Sequence, residues 1–213
     1  MFSFYHMKSP EFQRSENLLP YDGKVLYYPE YLDRTEAGNL FSILKGQVAW
    51  EKESLMMFGK RIVLDRKVAW YGDRPFIYTY SGHSRTALGW TRELDRIRRN
   101  LEDFTGDRFN SCLLNFYPTG SDGMGWHRDN ERELRPRATI ASLSLGAKRR
   151  FSFKHLSSKK TVHLELENGS LLLMKNEVQQ YWVHQLPKTR KKVTARINLT
   201  FRSIIEDNSQ VDR

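Results

Sequence analysis

An α+β fold that is mainly β, with a double-stranded β-helix (jelly roll) core and two supporting N-terminal helices, is the architecture this sequence predicts. Three observations lead to it. Apolar residues recur at helical spacing twice in the first half, at Ala37, Leu40, Phe41 and Leu44 and again at Leu94, Ile97, Leu101 and Phe104. After Asp107 the sequence turns to short β-branched and aromatic segments, at 110–117, 126–129, 139–145, 149–154, 161–166, 170–174, 181–184 and 194–203. The length, 213 residues, is near that of one large domain, able to bury a substantial core without disulfides or structural metals. The expected organisation is a flexible arm over 1–16 and a single domain over 17–213, its jelly-roll core at about 107–203, with no second linker, low-complexity tract or internal repeat.

Taken in order, the arm carries Phe2, Phe4, Tyr5 and Phe12 but no long apolar block. Asp33 with Glu36 reads as a capping box for a helix through Lys45, with Gly46 as its stop. From 48 to 81, strand-like runs alternate with polar turns, among them 55–61 and 76–80. Thr91 caps the second helix and Gly106 ends it, while Arg92, Arg96, Arg98 and Arg99 sit off its apolar stripe and read as a solvated cationic surface. The eight strands that follow suit a double-sheet roll, which draws inward-facing side chains from distant strands around one mouth. The two helices would pack on an outer face.

The single cysteine, Cys112, excludes an intramolecular disulfide and fits a reducing compartment. It lies in the apolar run Cys112-Leu113-Leu114, where a free cysteine is a small buried hydrophobe rather than a nucleophile. A formal charge of +10 and a pI near 9.7 call for an anionic partner, nucleic acid or a membrane surface. No apolar run approaches the roughly 20 residues of a spanning helix, and no signal-type region opens the chain. The expectation is an intracellular monomer, cytoplasmic or nuclear, with no membrane.

Chemistry gathers around Gly125-Trp126-His127-Arg128-Asp129-Asn130-Glu131. In a strand, His127 and Asp129 would point the same way and could take two cis positions on one metal ion. His184, in the aromatic and β-branched run Tyr181-Trp182-Val183-His184-Gln185, is the candidate third ligand. Two His and one carboxylate form the facial triad of non-haem Fe(II) oxygenases, which leaves positions open for co-substrate and dioxygen. The plainer reading of His127-x-Asp129 alone is a solvated turn. A third element, Arg196-Ile197-Asn198-Leu199-Thr200-Phe201-Arg202, alternates polar with apolar, so Ile197, Leu199 and Phe201 would fill a core while two arginines share the opposite face. Guanidinium groups are the bidentate donors that a chelating dicarboxylate needs at its far end.

Together with Asn115-Phe116-Tyr117 and the run His127 to Leu134, this ordered set resembles the AlkB family of Fe(II)/2-oxoglutarate dioxygenases, and more particularly its duplex-DNA-repairing members, over roughly Tyr21 to Ser203. The resemblance implies that His127, Asp129 and His184 hold Fe(II). It gives the two carboxylate ends of 2-oxoglutarate to Arg202 and Arg196, with further hydrogen bonds from Asn115, Tyr117 and Asn198. The implied reaction uses O2 to oxidise an alkyl group on a base nitrogen, releasing an aldehyde and restoring the base. Its substrates would be 1-methyladenine- and 3-methylcytosine-type lesions in DNA.

The resemblance also makes 48–82 a nucleotide-recognition segment. Such enzymes flip the target base out of the stack and hold it on aromatic faces. Tyr78 and Tyr80 match the base-contacting positions, with core tyrosines as the other reading. Glu131 matches the position that contacts the exocyclic group, where a carboxylate favours a cationic lesion. Phe58 in Met57-Phe58-Gly59-Lys60 is either an intercalating finger that fills the vacated space or a core phenylalanine. The runs Lys148-Arg149-Arg150 and 188–192 flank the expected mouth and could clamp phosphates, the second being preferred. Competing readings are a 2-oxoglutarate oxygenase acting on RNA or protein, and a non-enzymatic basic nucleic-acid-binding jelly roll.

Overall fold

The computed structural model describes residues 16–57, 60–80 and 83–205, with the backbone alone for 55–57, 60–62, 78–80 and 83–85. The expected arm over 1–16 therefore falls almost wholly outside the described residues, and Phe58 does too. In chain order the elements are β1 (Lys24–Tyr28), α1 (Arg34–Gln47), β2 (Glu51–Met57), β3 (Lys60–Gly72), β4 (Ile77–Tyr80), β5 (His83–Thr86), α2 (Arg92–Thr105) and β6 (Ser111–Tyr117). They continue with β7 (Met124–His127), β8 (Ile140–Gly146), β9 (Arg149–His155), β10 (Thr161–Leu166), β11 (Ser170–Lys175), α3 (Val178–Tyr181), β12 (Trp182–Leu186) and β13 (Arg196–Arg202).

The last eight strands divide equally between two antiparallel sheets, in the order β1-β11-β8-β13-β6-β3-β2 and β10-β9-β12-β7. This is the expected jelly roll, with its larger sheet widened by β1, β3 and β2. The run 55–61 does not form one strand: it is split between β2 and β3, which pair Met57 with Lys60. The β4–β5 pair forms a small third sheet.

Both helices form where their caps say. Asp33 accepts the Glu36 N–H at 2.8 Å and Glu36 reaches back to the Asp33 N–H at 3.3 Å. Gly46, expected as the stop, lies inside the helix, which runs one residue further and closes on an extended Val48. The second stop is correct, because Gly106 adopts φ +72°, which a residue without Cβ enters at no cost. Arg98, expected as solvated, bonds Asp95 and Glu102 and lies 5.5 Å from the Trp90 ring centroid.

Leu40, Leu44, Leu94 and Leu101 from the helices meet Leu143, Leu199 and Phe201 of the larger sheet in one core. A second core, including Phe153, Leu172, Met174 and Trp182, fills one part of the space inside the roll. Cys112 is fully buried in the first core, and burial pushes its thiol well up, so it is inert. No helix among the described residues is long and apolar enough to cross a membrane.

Candidate active site

Strand alternation builds one wall of the site. On β13, Ile197, Leu199 and Phe201 are fully buried against the helices, so Arg196, Asn198, Thr200 and Arg202 must face the other way, into the roll. There they line a cavity of about 660 Å³. Neighbouring strands extend the polar row: Asn198 pairs with Asn115 on β6 and Ser144 on β8, and Arg196 pairs with Tyr117 and Gly146. Arg196 donates to Ser144 Oγ at 2.9 Å and Asn198 Oδ1 at 2.7 Å, and Asn198 donates to Thr200 Oγ1 at 2.8 Å. Ser142 adds a third donor to this network, 3.0 Å from Asn198 Oδ1.

Arg196 is 2 % exposed, and its Nε has no hydrogen-bond partner among the described residues. Burial pushes its guanidinium down to about 10, which still leaves it charged near neutrality. No carboxylate among the described residues forms an ion pair with it. A buried cation with an open donor is unfavourable by itself, so the donor set suits an anionic ligand such as a carboxylate.

The opposite wall comes from the smaller sheet. His127 and His184 are cross-strand partners on β7 and β12, with ring centroids 4.3 Å apart. Phe151 stacks on His184 at 5.5 Å and Phe153 meets it edge-on at 6.0 Å, which fixes the ring. His127 Nδ1 lies 2.8 Å from the Gly125 carbonyl, so Nδ1–H donates there and Nε2 is the ring atom left to serve as a ligand. Asp129 was expected on the same strand as His127, but β7 ends at His127 and Asp129 lies beyond it. Its position is set by side chains instead. Gln179 Oε1 accepts its N–H at 2.9 Å, and Arg202 donates to its Oδ1 at 2.8 Å.

One atom from each of His127, Asp129 and His184 lies within 4.8 Å of the others, close enough for a single metal ion. The charge states fit. Burial, then the charge of His127, pushes His184 down to about 3, leaving a neutral imidazole, while its Nδ1 is buried without a hydrogen-bond partner among the described residues. Burial alone would raise the Asp129 carboxyl, but Arg202, then His184 and His127, outweigh it and hold it below its ordinary value. Two imidazoles and a carboxylate suit Fe(II) and leave positions for further ligands.

These residues line the same cavity as Asn115, Tyr117 and Glu131. Of the sequence-predicted set, Tyr78 and Tyr80 fall on β4, where the backbone alone is described.

A family model described as the 2OG-Fe(II) oxygenase superfamily matches residues 24–202. A curated mouse relative, "DNA oxidative demethylase ALKBH2", is 37% identical over 93% of this chain and 86% of its own length. The chain belongs to the AlkB family of Fe(II)/2-oxoglutarate dioxygenases. It uses Fe(II), 2-oxoglutarate and O2, and the non-enzymatic reading falls away. The human ALKBH2 is 39% identical over 86% of the chain, and the rat "Alpha-ketoglutarate-dependent dioxygenase alkB homolog 3" is 32% identical over 86% of the chain and 65% of its own length. The solved structure of OsALKBH1 superposes with a TM-score of 0.54 over 84% of this chain and 97% of that one, at 18% identity, which speaks to the fold.

For this AlkB-family chain, sequence reasoning missed several residues around the cavity. Buried Arg66 donates from Nε to Glu53 at 2.6 Å and from Nη1 to the Gly123 carbonyl at 3.2 Å, tying the β2–β3 hairpin to the segment that leads into His127. A shift in the β2–β3 register around Glu53 brings the pair together, and no sequence signal gives that register. Gly123 is itself wedged against β12, since a Cβ there would lie 2.4 Å from the Leu186 carbonyl. Gln179 has no motif. Ser142 and Ser144 did leave a signal, because they alternate with Ala141, Leu143 and Leu145. Arg149, expected as part of a solvated or phosphate-facing run, is a correction: it is 3 % exposed and donates to the carbonyls of Thr119, Asp122 and Pro187. Lys148 is paired with Glu167.

Proposed function

We propose that this enzyme demethylates alkylated bases in DNA, with His127, Asp129 and His184 holding Fe(II), and with Arg202 and Arg196 receiving the carboxylates of 2-oxoglutarate beside Asn115, Tyr117 and Asn198. The observation that carries the reading is that a metal-competent His-Asp-His cluster and the uncompensated Arg196 cation line one cavity. Bound iron and co-substrate supply an oxidant strong enough to hydroxylate an N-alkyl carbon, and the product then breaks down to an aldehyde and the free base. The protein's part is placement. The β13 side chains hold the co-substrate, Phe151 and Phe153 keep water from one side of His184, and Glu131 at the cavity edge favours a lesion that carries positive charge.

Similarity to the DNA oxidative demethylases named ALKBH2 selects DNA over RNA or protein as substrate. The family resemblance assigns Tyr78 and Tyr80 to the flipped base and Phe58 to the space that base vacates, while the charge of the run at 188–192 suits backbone phosphates. The same reading makes the enzyme an intracellular monomer, working in the nucleus or cytoplasm on DNA rather than at a membrane. It treats 17–213 as one dioxygenase domain.

Anaerobic addition of Fe(II) and then 2-oxoglutarate should produce the visible charge-transfer band of the chelate. Admission of O2 with a 1-methyladenine oligonucleotide should then release one formaldehyde per base restored. A band with no formaldehyde from any methylated oligonucleotide would leave the metal and co-substrate site standing and refute the DNA substrate.

A further inference from the structure

A second cavity, of about 210 Å³, adjoins the first and shares Asp129, Glu131, Arg132, Leu134 and Arg202 with it. Its walls are the loop that follows Asp129 and the segment carrying α3. Side chains latch the two together: Gln179 accepts from the Asp129 N–H, Arg128 donates to the Gln180 carbonyl at 3.3 Å, and Arg137 pairs with Glu177. Arg137 adopts φ +60°, a left-handed backbone that disfavours a side-chain-bearing residue, and the Glu177 pair accompanies that strain. On the third side, Arg135 N–H donates to the Ser203 carbonyl at 2.8 Å and Leu134 bridges Ile204. The loop has no regular structure, yet it is fixed at both flanks.

Four guanidinium groups line this cavity, from Arg132, Arg135, Arg137 and Arg202. Two are committed, Arg202 to Asp129 and Arg137 to Glu177. Arg132 and Arg135 are exposed and form no salt bridge with a carboxylate among the described residues. Asn130, Asn176, Gln180 and Ser203 contribute further hydrogen-bonding groups around them. Carboxylates are scarce: Asp129 is engaged, and Glu131 sits in the shared wall. A rim of planar bidentate donors around a small recess matches the non-bridging oxygens of a phosphodiester.

We propose that this cavity is a phosphate subsite for the strand whose target base enters the larger cavity, with Arg135 as its principal cation and Arg132 as its second. The proposal rests on the nucleic-acid reading above. The shared wall supplies the register, since a strand that delivers a base on one side of it carries its own backbone past the other. Fixing one linkage there orients the nucleotide without reading sequence, which is what phosphate contacts do.

The test uses the full chain and single-stranded oligonucleotides. For unmodified strand, Arg135→Ala should weaken binding roughly 3- to 10-fold at low salt and lessen the slope of log affinity against log salt by about 0.7, the value of one single-strand phosphate contact. Arg135→Lys should keep the slope. Because the side chain is exposed, melting temperature and anaerobic 2-oxoglutarate binding should not change. A single neutral methylphosphonate, walked along a strand with one 1-methyladenine, should find one linkage near the lesion where the wild type loses the same factor and Arg135→Ala loses nothing more. An unchanged slope, or additive losses at every linkage, would overturn the subsite. These are binding measurements, so they decide it even if wild-type enzyme restores no methylated base, a result that would instead refute the demethylase reading.

Discussion

The two walls of the active-site cavity are built by different means. The β13 wall is a ladder: residues 196–201 have strand partners on both sides, the apolar face is sealed against two helices, and the polar face holds itself in a chain of hydrogen bonds from Arg196 to Thr200. The opposite wall takes His184 from β12 of the smaller sheet, and the rest of it is assembled from the end of a four-residue strand, an irregular loop and a one-turn helix. It is positioned by single side chains, namely Arg66 on Gly123, Gln179 on Asp129 and Arg137 on Glu177. The first wall presents groups that suit a constant co-substrate, and the second carries the three candidate metal ligands and borders the place where a variable substrate enters. Precision in the first comes from cooperativity, and in the second from a few contacts that can each be removed.

That contrast can be broken from the second wall first. His127→Ala or Asp129→Ala should abolish oxidation to the background rate while far-ultraviolet circular dichroism stays native, since no core packing depends on either side chain. Turnover by either variant would remove it from the metal site. Glu53→Ala should come next, because it leaves the Arg66 cation buried and unpaired. A loss of about 3–5 kcal/mol in denaturant unfolding is expected, and a loss near zero would show that water takes the place of the carboxylate.

Arg202→Ala reaches across both walls, removing the partner of Asp129 and a proposed co-substrate donor together. Half-saturation by 2-oxoglutarate should rise by a factor corresponding to about 2–4 kcal/mol, with a smaller effect on oligonucleotide affinity. An unchanged requirement would assign the co-substrate to another cation. The smallest effect belongs to Gln179→Ala, which frees the Asp129 N–H. Iron affinity should fall roughly tenfold with little change in melting temperature, as removal of an outer hydrogen bond to a ligand does elsewhere. If Gln179→Ala instead lowered stability as much as Glu53→Ala, the two walls would not differ as described.

The ladder was largely legible in advance. Period-two alternation over 196–202 assigns each side chain to a face, so Arg196, Asn198, Thr200 and Arg202 fall together on one side. Capping chemistry fixed where both helices begin, because Asp33 and Thr91 act on donors within three residues. The stop at Gly46 failed for the converse reason. An interior glycine is only mildly unfavourable in a helix, and packing of Leu44 and Val48 in the core carried the chain past it.

What the sequence determined by itself is whatever depends on neighbours a few residues away: strand faces, helix starts, the inert buried cysteine and the residue types of the candidate triad. Only the tertiary structure decided the rest. Arg149 stands in a basic run and reads as surface, yet the fold turns it inward onto three carbonyls from two distant segments. Asp129 reads as the alternate residue of a strand, yet it leaves the strand and is held by Gln179 and Arg202, 50 and 73 residues further on. The Glu53–Arg66 pair depends on a hairpin register that no local pattern encodes. In each case the deciding energy is the penalty for burying a charge or an amide without a partner, and the partner is supplied by a chain segment far away in sequence.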